Sequence, residues 1–312
     1  MTLHPQAQKV LDIMEAHGAH SWRTMSPSEA RRAYTSSPDL AGEREAVARV
    51  TDRMIPGPGG ELAVRIYRPE AAGALPALVY FHGGGWVLGS IDAVDAPLRA
   101  VCNRAACVVM SVAYRLAPED PFPAAADDAL HATVWLAANA AELGVDPARI
   151  AVGGDSAGGN LAAVACLMAR AGGGPPIAGE VLIYPVTDCD FETRSYREHA
   201  AGYLLTKDSM EWFWESYAPS EDRRLDPLAS PLRARDLSNL PPALIVTAEH
   251  DPLRDEGEAY GERLKAAGVA TEVRCYSGML HGFWRTSAIV DEAARVVDDI
   301  GAWLAGTFSS EV

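Results

Sequence analysis

The run Ile150-Ala151-Val152-Gly153-Gly154-Asp155-Ser156-Ala157-Gly158-Gly159-Asn160 leaves a chain few ways to fold. Three apolar residues read as the end of a strand, and the stretch from Ala157 onward reads as a helix. The residues between them must reverse direction within two or three positions. Glycine flanks Ser156 on both sides because so sharp a turn has no room for side chains there. Such a turn holds a serine hydroxyl out at the top of a sheet, where it can attack a carbonyl. The positive end of the following helix points at the same place and favours a developing oxyanion.

The rest of the 312-residue chain fits around a strand–turn–helix unit of this kind. Short β-rich runs are expected at 47–55, 62–67, 77–81, 107–112, 150–153, 181–184, 243–247 and 272–276. Pro56-Gly57-Pro58-Gly59-Gly60 turns the first two into an antiparallel hairpin. Helical patterns fall at 124–140, 157–170, 256–267 and 289–304. Apolar strands alternating with amphipathic helices predict an α/β domain, a mainly parallel sheet covered on both faces. Before the first strand, residues 5–17 form a short amphipathic helix, and Ser26-Pro27-Ser28-Glu29 reads as a helix start. Residues 190–225 break the alternation. They carry Phe191, Tyr196, Tyr203, Trp212, Phe213, Trp214 and Tyr217, and they are too long for a plain connection. The expected division is an N-terminal cap segment (1–45), a catalytic core (46–189 and 226–312) and an inserted helical cap segment (190–225).

Bulk properties exclude several partners. A hydrophobic fraction of 48% supports a full core, and a net charge of −15 repels nucleic acid and anionic lipid. No run is long enough to span a membrane, and the N-terminal stretch lacks the apolar segment of a signal peptide. The five cysteines, Cys102, Cys107, Cys166, Cys189 and Cys275, are odd in number and form no CxxC pair. That pattern suits reduced thiols in a cytoplasmic protein and argues against zinc or a redox motif.

If Ser156 is a nucleophile, the chain should also carry an oxyanion hole, an acid and a base. His82-Gly83-Gly84-Gly85-Trp86 follows the expected strand at 77–81, and its glycines expose consecutive backbone N–H groups. His82 orders that loop by hydrogen bonds. His281-Gly282-Phe283 follows the last strand, where a loop returns to the top of the sheet, so His281 is the expected base. The competing histidines are less well placed: His4, His17 and His20 are N-terminal, His131 lies in a helix, His199 lies in the insertion and His250 adjoins the expected acid. Two carboxylates compete for the acid. Asp251 comes just after a strand, whereas Asp255 falls in the first turn of a helix, where a carboxylate stabilises the N-terminus. Position favours Asp251.

Five motifs together resemble the hormone-sensitive-lipase-like branch of the α/β-hydrolases, the bacterial family IV esterases most of all. They are His82-Gly83-Gly84-Gly85, Tyr114-Arg115-Leu116-Ala117-Pro118-Glu119, Gly154 to Asn160 around Ser156, Asp251-Pro252-Leu253 and His281-Gly282-Phe283. The resemblance runs from about residue 50 to 305. It implies an α/β-hydrolase fold with a mostly parallel eight-stranded sheet and a helical cap. It also implies Ser156 as nucleophile, His281 as base, Asp251 as acid, and the backbone N–H groups of Gly84, Gly85 and Ala157 as oxyanion hole, with Gly83 supporting the loop. Asp155 and the Tyr114 to Glu119 segment are expected to brace the structure.

The implied reaction is hydrolysis of short- to medium-chain acyl esters through an acyl-enzyme, with no metal and no cofactor. Trp86, Tyr203, Leu204, Leu205, Trp212, Phe213, Trp214, Leu280 and Phe283 are candidates to line an apolar substrate pocket. Amide hydrolysis by the same triad is an alternative, as is a ligand receptor on this fold, although such receptors lack the histidine. The partner is then a small ester, with no nucleic acid and no stable membrane association. The protein is monomer or homodimer, with an edge strand near 272–276 available for pairing.

Overall fold

The computed structural model describes residues 2–18 and 22–309, so His20 lies outside the described residues. Eight strands form one sheet: β1 (Arg49–Gly57), β2 (Gly60–Arg68), β3 (Leu75–Phe81), β4 (Val108–Ala113), β5 (Val145–Asp155), β6 (Gly179–Ile183), β7 (Ala243–His250) and β8 (Thr271–Leu280). Their spatial order is β1-β2-β4-β3-β5-β6-β7-β8. The β1–β2 and β2–β4 pairs are antiparallel and the others parallel. The hairpin follows its turn chemistry, with Gly57 opposite Gly60.

Parallel strands need long crossovers, and these place helices on both faces. Every residue of β3 and β6 is buried. Alternate residues feed two cores. Ala77, Val79 and Phe81 join one with Leu161, Val164, Tyr260 and Leu264, while Leu78 and Tyr80 join the other with Leu98, Val101, Val296 and Ile300. The helix Asp95–Arg104 in that second layer was not expected from the sequence. It carries the polar or helix-breaking Asp95, Pro97, Arg99, Asn103 and Arg104, yet Leu98, Val101 and Cys102 form a short apolar stripe in the second core, and buried Asp95 accepts from the Tyr67 hydroxyl and from Arg99.

The N-terminal segment divides between the two layers. Helix Pro5–Ala16 contributes Ala7, Val10 and Leu11 to the second core. Helix Pro27–Thr35 starts with the expected Ser26 cap, closed reciprocally by Glu29, and places Ala30 in the first core. The 190–225 insertion holds helices Arg194–Glu198, Lys207–Tyr217 and Glu221–Arg224. Arg23 bridges the two segments by ion pairs to Asp208 and Glu215. No helix among the described residues is long and apolar enough to cross a membrane. Cys102, Cys107 and Cys166 are buried, and Cys275 is exposed.

One carboxylate sits inside the sheet without an ion-pair partner. Glu180 on β6 is fully buried and neither oxygen is hydrogen-bonded. Burial pushes its carboxyl up to about 8, and the neighbouring Cys166 thiol offsets this only in part. The folded state therefore keeps a proton that the unfolded chain releases above its ordinary carboxylate range. Stability should fall as pH rises from about 4.5 to about 8, then level off. Buried Glu256 is raised in the same direction. Glu180→Gln should flatten the fall by an amount on the order of a few kcal/mol, read by urea unfolding at several pH values. An unchanged slope would show that Glu180 is ionised in the fold.

Candidate active site

Ser156 follows β5 directly and precedes helix Ala157–Gly172. Its backbone takes φ +58°, the left-handed region that side chains rarely adopt. The strain is held by a hydrogen bond from Ser156 N to the Ile183 carbonyl at 2.8 Å. Gly158 shows why the turn excludes side chains: a Cβ there would collide with the Phe81 carbonyl oxygen at the end of β3. The helix thus starts hard against the strand that leads into the glycine loop.

Ser156, His281 and Asp251 meet although they come from three separate stretches of chain. His281 Nε2 lies 3.0 Å from Ser156 Oγ, and His281 Nδ1 lies 2.7 Å from Asp251 Oδ2. A carboxylate only accepts, so Nδ1 carries the proton and Nε2 keeps a lone pair toward the serine hydroxyl. Asp251 is wholly buried, and its other oxygen accepts from Leu253 N at 2.9 Å. The Tyr184 ring packs 4.5 Å from the imidazole, centroid to centroid. This arrangement can move a proton from Ser156 to His281 while Asp251 holds the ring.

Asp255, the competing acid, is engaged elsewhere. It accepts from Ser195 N at 2.8 Å and pairs with Arg254, tying the insertion to helix Arg254–Ala266. The other described histidines also stand apart. His4 caps the first helix, and His17 donates from Nδ1 to the Ile13 carbonyl. His131 lies in helix Ala124–Ala138. His199 and His250 pack with Tyr203 in a ring cluster.

In the glycine loop, Gly84 and Gly85 take φ +126° and +60°. Leu88 N donates to the Gly84 carbonyl, which turns the chain back. Gly83 N donates to Asp155 Oδ1 at 2.9 Å, and Tyr80 donates its hydroxyl to the same oxygen. His82 Nδ1 donates to the Gly83 carbonyl, its ring stacks on Tyr114, and Tyr114 donates to the His82 carbonyl. Burial lowers the His82 pKa, which keeps the ring neutral.

The aromatic candidates occupy three places. Phe213 lies against Gly85, where a Cβ on the glycine would meet its ring. Trp86 is fully buried, stacked on Tyr217 at 4.1 Å and beside Trp214 at 4.9 Å, so this pair joins the glycine loop to the insertion. Trp212 packs on Phe213, and Leu205 is buried in the same core. Tyr203 and Leu204 are half-buried at the other core, near His250 for Tyr203. Leu280 and Phe283 are buried next to His281 in sequence, with Phe283 against Tyr276. The sequence reading missed Tyr184. Its signal was its position at the carboxyl end of a parallel strand, where sites in such sheets gather. No group of three or more His, Cys, Asp or Glu among the described residues is placed to hold a metal ion.

Gly158→Ala should lower stability by about 1–3 kcal/mol and cut turnover steeply, because the helix must leave the Phe81 carbonyl. Thermal unfolding and ester turnover would check this, and a wild-type melting point would contradict the packing argument.

Known proteins share this architecture. A family profile described as alpha/beta hydrolase fold matches residues 78–285. The carboxylic ester hydrolase LipN of Mycobacterium tuberculosis is 50% identical over 240 residues, covering 75% of this chain and 64% of that protein, under two thirds of its length. The ethyl acetate hydrolase of Pseudomonas putida is 40% identical over 304 residues, 94% of this chain and 95% of that one. An ester-hydrolase from the metagenome of Lake Arreo, solved with a bipyridine phosphonate derivative, superposes with a TM-score of 0.95 at 42% identity, covering 99% of this chain and 100% of that one. The chain therefore belongs to the α/β-hydrolase fold family, in its hormone-sensitive-lipase-like branch.

Proposed function

We propose that this protein is a carboxylic ester hydrolase that works through a serine acyl-enzyme, with Ser156 as nucleophile, His281 as general base and acid, and Asp251 as the group that orients the imidazole. The observation that carries the reading is the unbroken hydrogen-bonded chain Ser156 Oγ–His281–Asp251 at 3.0 and 2.7 Å. The names of the relatives support the ester class.

In the first half-reaction, His281 Nε2 takes the hydroxyl proton as Ser156 Oγ bonds to the ester carbonyl carbon. The carbonyl electron pair moves onto its oxygen, which the N–H groups of Gly84, Gly85 and Ala157 receive. The intermediate collapses, the bond to the alcohol oxygen breaks, and His281 returns the proton to the departing alcohol. Water then attacks the acyl carbon, giving a proton to His281. Ser156 leaves with that proton, and a carboxylic acid is released.

The preferred substrates are small esters with short to medium acyl chains. Phe213 lies against the glycine loop and limits the room beside the oxyanion, and one relative is named for ethyl acetate. Of the expected 1–45 cap segment, helix Pro5–Ala16 packs in the second core, so the cap over this pocket is narrowed to residues 22–45 together with 190–225, with Phe213 as one of its contacts to the core.

Turnover of p-nitrophenyl esters from acetate to palmitate tests the reading. Activity should peak at short chains. Ser156→Ala and His281→Ala should each lower kcat by about 10⁴–10⁶. Folded protein without serine-dependent turnover across the series would overturn it.

A further inference from the structure

The carboxylate of Asp155 joins parts of the site that are distant in sequence. It is buried, 1% exposed, and immediately precedes Ser156. Oδ1 accepts from Tyr80 and from Gly83 N, both at 2.9 Å, so it holds the start of the glycine loop. On the other side, Arg285 Nε lies 3.9 Å from Oδ2. Arg285 sits four residues after His281, in the short helical turn Phe283–Arg285. Its side chain is only 25% exposed, and Nε is buried without a hydrogen bond.

Arg285 also reaches the N-terminal segment. Its Nη1 donates to the Tyr34 hydroxyl at 2.6 Å, and its guanidinium lies 5.7 Å from the Tyr34 ring centroid. Tyr34 belongs to helix Pro27–Thr35, which is anchored separately. Arg31 on that helix donates to the carbonyls of Val87 and Ala117 at 2.8 and 2.9 Å and pairs with Glu119. A second strap ties the same segment to the loop beyond His281, from Ser287 Oγ to the Ala41 carbonyl and from Ala288 N to the Leu40 carbonyl.

We propose that Arg285 and Tyr34 are positioning residues for the hydrolysis, coupling the N-terminal helix to the His281 loop and, through Asp155, to the glycine loop. This rests on the serine-hydrolase reading above. Physically, a countercharge offsets part of the cost of burying a carboxylate, and Arg285 brings one from the loop that carries the base. That attraction draws the His281 loop toward the Ser156 turn. Tyr34 fixes the guanidinium from the opposite side, so the arginine cannot swing to solvent. Neither residue touches the reacting atoms. Both act on the alignment of Nε2 with Oγ, which a displacement of about 1 Å would degrade by as much as about 100-fold.

The role predicts a loss in kcat with little change in KM. Arg285→Met should lower kcat on p-nitrophenyl butyrate by about 10- to 100-fold with KM within about threefold. Arg285→Lys keeps the charge and should restore kcat to within about fivefold of wild type. Tyr34→Phe removes only the hydroxyl and should lower kcat by about three- to tenfold. Added to Arg285→Met it should cost nothing further, because the two act as one unit. A folded Arg285→Met protein with wild-type kcat, a loss confined to KM, or independent multiplicative effects would overturn the proposal. If Arg285→Met does not fold, Tyr34→Phe and Arg285→Lys decide it: wild-type kcat in Tyr34→Phe overturns it. Labelling of wild-type Ser156 by a fluorophosphonate separates the two readings. An unlabelled, inactive wild type defeats the serine mechanism itself, whereas a labelled, active wild type with indifferent variants defeats only the positioning role.

Discussion

The close approach of Gly158 to the Phe81 carbonyl is the contact on which the rest of this structure depends. It brings the start of helix Ala157–Gly172 against the end of β3, and β3 leads directly into the glycine loop. The Ser156 turn and the glycine loop are therefore brought together by this backbone contact. The strained φ of Ser156 is tolerable because β6 supplies the Ile183 carbonyl to its N–H, so the neighbouring strand over-determines the turn. A mainly parallel sheet makes this possible. It buries β3, β5 and β6 side by side and ends them all at the same edge of the molecule.

The buried acids of the sheet illustrate how environment assigns chemistry to one residue type. Asp251 faces an imidazole and a backbone N–H, each hydrogen-bonded to one of its oxygens. Asp155 faces a phenol, a backbone N–H and a guanidinium. Glu180 has no such partners, and burial alone drives it toward the neutral form. The first two lie at the ends of strands, where loops can bring donors. Glu180 lies within β6, between Val152 and Ala243, where the neighbouring backbone is committed to the sheet.

The N-terminal segment and the insertion are joined to each other and to the core by contacts of different kinds. Between them run exposed ion pairs from Arg23, each worth little on its own in water. Against the core the contacts are apolar or desolvated, including the stack of Trp86 on Tyr217 and the grip of Arg31 on the carbonyls behind the glycine loop. The weaker bonds thus lie between the two coverings and the stronger ones between each covering and the sheet.

Legibility in the sequence followed the range of the interaction. The Ser156 turn, the β1–β2 hairpin and the Ser26–Glu29 cap were legible because each is dictated by neighbours within a few residues. The helix Asp95–Arg104 was not, since its apolar stripe of Leu98, Val101 and Cys102 is short and broken by polar residues, and the burial of Asp95 goes with long-range acceptance from the Tyr67 hydroxyl. The choice of Asp251 over Asp255 could be argued from position, but it took the fold to show Asp255 bonded to Ser195. Tyr184 carried only its place at the carboxyl end of a strand, and the Tyr34–Arg285 pair carried no local signal. Tyr34 and Arg285 stand 251 positions apart, and no spacing rule reaches that far. By itself the sequence determined which chemical groups are present and which turns present them, because steric demands at glycine, proline and capping residues are local. Only the tertiary structure decided which groups share a hydrogen bond. That choice depends on the order of strands in the sheet, where burial and backbone pairing act between residues the chain keeps far apart.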